Sequence, residues 1–173
     1  EITSIRLLTP ISIIPVAFDP PPMPLLSGGS RCLVLDNDET TGSFQLGSLL
    51  FSMYLHLCAM PPPKKVFIDK YLRKGGARPG LHYLLQKAHE MIQTGRLDHL
   101  VIFTAASNHN GWVTYLRECL EEFADIPPGT ISRTVTMEHC SKRHKIGRVI
   151  KDMRKICTDV SNVIMVDDQP RFV

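Results

Sequence analysis

Long uninterrupted apolar segments, C-x-x-C pairs and a large excess of one charge are all missing from this chain of 173 residues. Pro10 and Pro15 interrupt the apolar start, and the stretch 46–60 is too short for a membrane span and carries His56, so no membrane contact is expected. Cys32, Cys58, Cys119, Cys140 and Cys157 are odd in number and scattered, which argues against a zinc site and against a disulfide framework. A reducing compartment, cytoplasmic or nuclear, follows as the expectation. With 20 basic and 17 acidic side chains the net charge is +3, too small a surplus for stable nucleic-acid binding but compatible with an anionic substrate. There is no internal repeat, and low complexity is confined to the proline clusters at 20–22 and 61–63. The first residue is Glu1 rather than Met, which leaves a targeting segment open, and oligomeric state is equally open.

What is present suits one α/β domain with a sizeable core, since 43% of the residues are apolar. Residues 1–30, rich in proline and glycine toward their end, read as an extended arm, and the domain is expected over 31–173. Cys32-Leu33-Val34-Leu35 is an apolar run ending at Asp36, the pattern of a buried parallel strand. Leu100-Val101-Ile102-Phe103 ends at Thr104 in the same way, and Val163-Ile164-Met165-Val166 ends at Asp167. Helices are expected from Pro79, as a first-turn residue, to a stop at Gly95, then over 112–123 before Pro127-Pro128-Gly129, and over 146–157. Strands alternating with helices predict a Rossmann-like parallel sheet covered on both faces, with a crevice at the carboxyl ends of the strands. Asp36, Thr104 and Asp167 would surround that crevice.

The sharpest local signal is Asp36-Asn37-Asp38-Glu39-Thr40. Two carboxylates one residue apart on a turn can divide the labour of attack and proton transfer. An isolated pair of this kind is more often a solvated acidic turn whose Asp38 or Thr40 caps the next helix. Thr104 alone reads as a β-branched residue closing a strand, and Lys151 as an ordinary helix lysine with Lys145 as its rival.

Taken together, Asp36-x-Asp38-x-Thr40, Thr104, Lys151 and Asp167-Asp168 resemble the four motifs of the haloacid dehalogenase superfamily. Asp38-Glu39-Thr40, Arg78-Pro79-Gly80 and Phe103-Thr104-Ala105 look most like its branch of RNA polymerase II C-terminal-domain phosphatases, the NLI-interacting-factor-like proteins. The resemblance implies a Mg²⁺-dependent phosphatase in which Asp36 is the nucleophile and Asp38 the acid and base. It implies that Asn37, Thr104, Ala105 and Lys151 contact the phosphoryl group, and that Asp36, Asp38, Asp167 and Asp168 hold the metal, although Asp168 also reads as a loop residue. The implied partner is a phosphorylated substrate, foremost a phosphoserine or phosphothreonine protein. A small-molecule or nucleic-acid 3′-phosphatase, or a phosphoprotein-binding module without turnover, are the alternatives on the same fold.

Two regions depart from the branch. Its insertion after the first strand is a small β-sheet, whereas here Leu46, Leu49, Leu50, Met53, Tyr54 and Leu57 have helical spacing, predicting a mainly helical cap over 41–77. A stripe of this kind belongs to the core more often than to a recognition surface. Only five residues follow Asp168, so the chain is expected to end short of the strand or helix that this fold adds, leaving a sheet edge exposed.

Overall fold

The computed structural model describes residues 23–108, 110–143 and 148–169, so most of the expected arm lies outside the described residues. The three apolar runs form β1 (Cys32–Leu35), β2 (His99–Phe103) and β6 (Val163–Val166), joined by β3 (Ile131–Val135) in a four-stranded sheet of order β3-β2-β1-β6. Every pairing in it is parallel. Four helices, α1 (Phe44–Leu57), α2 (Lys64–Tyr71), α3 (Leu81–Gln93) and α4 (Trp112–Phe123), flank the sheet, which bears out the α/β Rossmann-like expectation. A separate antiparallel pair, β4 (Ser141–Arg143) and β5 (Arg148–Ile150), precedes Lys151.

Strand alternation divides the core in two. Leu35, Leu100, Ile102 and Ile131 belong to the larger cluster, to which all four helices contribute, while Cys32, Val34, Val101, Phe103 and Val135 pack with Ile156 on the opposite face. Ile131 and Val135 have the same parity yet enter different clusters. A register shift between Leu100 and Val101, which pair with Ile131 and Arg133, leaves Ser132 as an extra residue and reverses the faces. The smaller cluster is closed by Met23, Leu26, Cys140 and Met153, and Leu26 donates its backbone N–H to Ile156 O at 2.8 Å.

Two sequence expectations are corrected. A helix over 146–157 does not form: Arg148–Ile150 is a strand and Met153–Lys155 a short 3₁₀ turn capped by Asp152, which accepts from Arg154 N at 3.1 Å. Val149 and Ile150 have helical spacing with Met153, but as β-branched residues they serve equally in the hairpin with Ser141 and Lys142. Pro79 is also not in the first turn of α3. Arg78-Pro79-Gly80-Leu81 is a type II turn, closed by Leu81 N donating to Arg78 O at 3.1 Å, and Gly80 takes the left-handed conformation (φ 86°) that this turn requires.

The insertion is helical, but its apolar stripe is not core. Phe44, Gly47 and Phe51 are the buried residues of α1, whereas Leu46, Leu49, Met53, Tyr54 and Leu57 are exposed. The ring of Phe51 packs at a tilt against those of Phe67 and Trp112, and Gly47 lets α1 approach Tyr71 so closely that a Cβ there would meet the ring at 2.8 Å.

Candidate active site

Parallel register gathers the strand ends. Leu35 pairs with Ile102 on one side and Val166 on the other, so Asp36 leaves the sheet between Thr104 and Asp167. Its backbone N–H continues the ladder to Val166 O at 2.9 Å, and Thr104 N does likewise to Val135 O at 2.9 Å. Both side chains are thereby anchored at their roots, as a site built on strand ends needs.

Lys151 follows β5 and is buried, with Nζ donating to Asp36 Oδ1 and, at 2.7 Å, to Asp167 Oδ2. Its rival Lys145 lies outside the described residues. Thr40 Oγ1 is 2.9 Å from Asp36 Oδ2 and 3.1 Å from Asp168 Oδ1, and it accepts from Asp168 N at 3.0 Å. Asp36, Asp167 and Asp168 each turn an oxygen into one space, with these atoms within 4.8 Å of one another. Asp38 stands apart from that trio: its Oδ2 is 3.5 Å from Thr104 Oγ1, and the backbone N–H of Gln45 at the start of α1 hydrogen-bonds its carboxylate.

The electrostatics are unbalanced. Burial pushes the Asp36 carboxyl above the usual range against the pull of Lys151, and burial together with the Asp36 charge does the same to Asp38. Among the described residues four carboxylates face a single ammonium, an excess that a divalent cation would relieve. The convergent donors of Asp36, Asp167 and Asp168 are hard carboxylate oxygens, so the residues present fit Mg²⁺ better than a soft-ligand metal.

Asn37 and Ala105 both line a cleft of about 410 Å³ beside Asp38, together with Phe44, Gln45, Ser48 and Trp112. Asn37 is buried and partly committed to its own turn, since Thr41 Oγ1 lies 3.3 Å from its Oδ1 and donates to its backbone O at 2.9 Å. Glu39, within the acidic turn, adopts the left-handed conformation (φ 64°). Arg78 braces this position by donating to Glu39 O at 2.9 Å and to Glu39 Oε2 at 3.0 Å.

Sequence reasoning missed a second tier of residues. Glu138 Oε1 accepts from Ser107 Oγ and, at 3.1 Å, from Asn108 N, while Met137 N donates to Ala106 O at 3.0 Å. These contacts brace the loop after β2. Asn108 Oδ1 then accepts from Val113 N and Thr114 N, and Lys64 Nζ donates to Asn110 O from the start of α2. No spacing in the sequence marks Glu138, because its partners lie about thirty residues away on another strand end.

The gathered strand ends agree with a comparison of the whole chain. A family model, NLI interacting factor-like phosphatase, matches residues 31–173. The chain belongs to that family. No curated protein and no solved structure matches it. Family membership makes the fold a haloacid-dehalogenase-type phosphatase fold and gives the crevice the class of chemistry to which its acidic strand ends are suited. Among the described residues no helix is long and apolar enough to cross a membrane.

Proposed function

We propose that the chain hydrolyses phosphate monoesters on serine or threonine residues of proteins, with Mg²⁺ and through a phospho-aspartate on Asp36. The observation that carries this reading is the convergence of Asp36, Lys151, Asp167 and Asp168 beside a separate Asp38–Thr104 pair, in a member of a phosphatase family. Asp36, Asp167 and Asp168 would hold the metal, which when bound supplies charge neutralisation for an anion approaching a phosphoryl group.

The remaining work falls to the chain's own groups. An Asp36 oxygen bonds to phosphorus as the ester P–O bond breaks, and Asp38 gives its proton to the departing alkoxide. Asp38 then takes a proton from the water that cleaves the phospho-aspartate, which returns Asp36 and releases inorganic phosphate. Lys151 offsets the charge shared by Asp36 and the phosphoryl oxygens, and Thr104 with the backbone of the loop from Ala105 onward surrounds the equatorial oxygens.

Two substitutions separate the roles. Asp36→Asn abolishes turnover and leaves no labelled enzyme after rapid acid quench with ³²P substrate. Asp38→Asn slows turnover by roughly 10²–10⁴-fold and accumulates label on Asp36. Label on a serine or histidine, or full turnover in excess EDTA, overturns the reading. Mg²⁺ should also raise the midpoint of thermal unfolding, and by less in Asp168→Asn.

A further inference from the structure

Glu138 sits in the short 3₁₀ turn Met137–His139 that follows β3 and is not among the residues lining the cleft beside Asp38. Its side chain nevertheless reaches the loop that does line it. Phe103 pairs with Val135, so β2 and β3 end side by side and the two chains leave the sheet as neighbours. Across that gap Glu138 Oε1 accepts from Ser107 Oγ and from Asn108 N, and Met137 N donates to Ala106 O. Within the loop Ala106 N donates to Thr104 Oγ1 at 3.0 Å. Ala105, Ala106 and Ser107, consecutive residues of the cleft lining, are therefore suspended between Thr104 at one end and Glu138 at the other. Asn108 carries the same tie to the start of α4 through Val113 N and Thr114 N.

We propose that Glu138 is a positioning residue for phosphoryl transfer, holding Ser107 and Asn108 so that the loop backbone and the Thr104 hydroxyl meet the phosphoryl oxygens in a fixed arrangement. The inference rests on the phosphatase reading and adds to it a side chain that does not itself line the cleft. Donors stabilise charge that develops during a reaction only if they are aimed before it develops. A loop cannot aim them unaided, and a misplacement of about 1 Å can cost roughly 100-fold in rate. A carboxylate suits the task, because hydrogen bonds to an ionised acceptor are roughly twice as strong as neutral ones. A direct part in the chemistry is disfavoured, since Ser107 and Asn108 already occupy Oε1 and Ser107 lines the cleft where Glu138 does not.

The test uses the full chain with Mg²⁺, nitrophenyl phosphate as substrate and orthovanadate as a probe of the five-coordinate phosphoryl geometry. Glu138→Ala removes the acceptor, Glu138→Asp keeps the charge but draws it back by one methylene, and Glu138→Gln keeps Oε1 in place as an acceptor. Glu138→Ala and Glu138→Asp each lower kcat roughly 10–100-fold with KM within about threefold, and weaken vanadate inhibition by a similar factor. Glu138→Gln stays within about fivefold of the unsubstituted protein, because both donors keep their acceptor. Ser107→Ala added to Glu138→Ala costs little more, since the first substitution has already released Ser107. A lower melting temperature with kcat and vanadate inhibition unchanged shows a merely structural brace and overturns the inference. Full activity in Glu138→Asp, a Glu138→Gln as slow as Glu138→Ala, or additive losses in the double substitution overturn it as well. If Glu138→Ala does not fold, Glu138→Asp takes its place in every comparison. Absence of turnover by the unsubstituted protein overturns the phosphatase reading and this inference with it.

Discussion

Helices α1 and α4 stand on either side of the same cleft, and both repeat apolar residues at helical spacing, yet they bury them in opposite measure. α4 covers Trp112, Val113, Leu116, Cys119 and Leu120, whereas α1 covers Phe44 and Phe51 and leaves Leu46, Leu49, Met53 and Leu57 in solvent. The cause is what lies against each. α4 packs against both α2 and β3, while α1 has α2 as its main helical neighbour. Periodicity therefore reports that a helix has an apolar side, and the surrounding elements determine whether that side becomes core or stays exposed.

The strongest test of this contrast makes one substitution on both helices. Leu116→Ala should cost about 2–5 kcal/mol, because its side chain is fully buried and leaves a cavity. Leu49→Ala should stay within about 0.5 kcal/mol. Urea unfolding of the two variants gives both values, and an equal loss would mean that α1's outer row is covered in solution. A smaller effect is expected on the side of α1 that is packed. Gly47→Ala adds a methyl within 2.8 Å of the Tyr71 ring, whose hydroxyl is tied to Ser43 O at 2.7 Å. Overpacking of about 1–3 kcal/mol should outweigh the helix-propensity gain of about 1 kcal/mol, so the melting temperature falls.

The smallest effect belongs to α4 alone and depends on pH. Glu121 is buried and accepts from Gly129 N and Ile131 N, and burial raises its carboxyl above the ordinary value. The folded state thus holds this proton more tightly than the unfolded chain does. Its contribution to stability is fully present below the ordinary glutamate value of about 4.3 and is lost as pH rises through the raised folded value. Stability of the unsubstituted protein relative to Glu121→Gln should therefore decline across that window, as paired urea titrations at successive pH values would show.

Much of the strand framework that carries the candidate site was readable in the residues themselves. The runs ending at Asp36, Thr104 and Asp167 are short, apolar and bounded by polar residues, and parallel pairing of such runs brings their ends together in space. Lys151 entered only through the family resemblance, with Lys145 as its rival, and the element carrying it was not readable. Val149, Ile150 and Met153 satisfy helical spacing as well as strand composition, and antiparallel pairing with Ser141–Arg143, five to nine residues earlier, tipped the balance to a hairpin. The extra residue Ser132 was hidden for the same reason, since a bulge is visible only against its neighbouring strand.

By itself the sequence determined the three apolar strands that end at Asp36, Thr104 and Asp167 and the helices now seen at Leu81–Gln93 and Trp112–Phe123, because hydrophobic runs and their polar ends are local properties of the chain. Tertiary structure alone decided that Glu138 would hold the loop at Ser107 and Asn108, that Glu39 would take a left-handed turn braced by Arg78, and that α1 would show its leucines to the crevice side. Each of these depends on groups far apart in sequence meeting at one place, and burial and charge act on that meeting rather than on the order of residues.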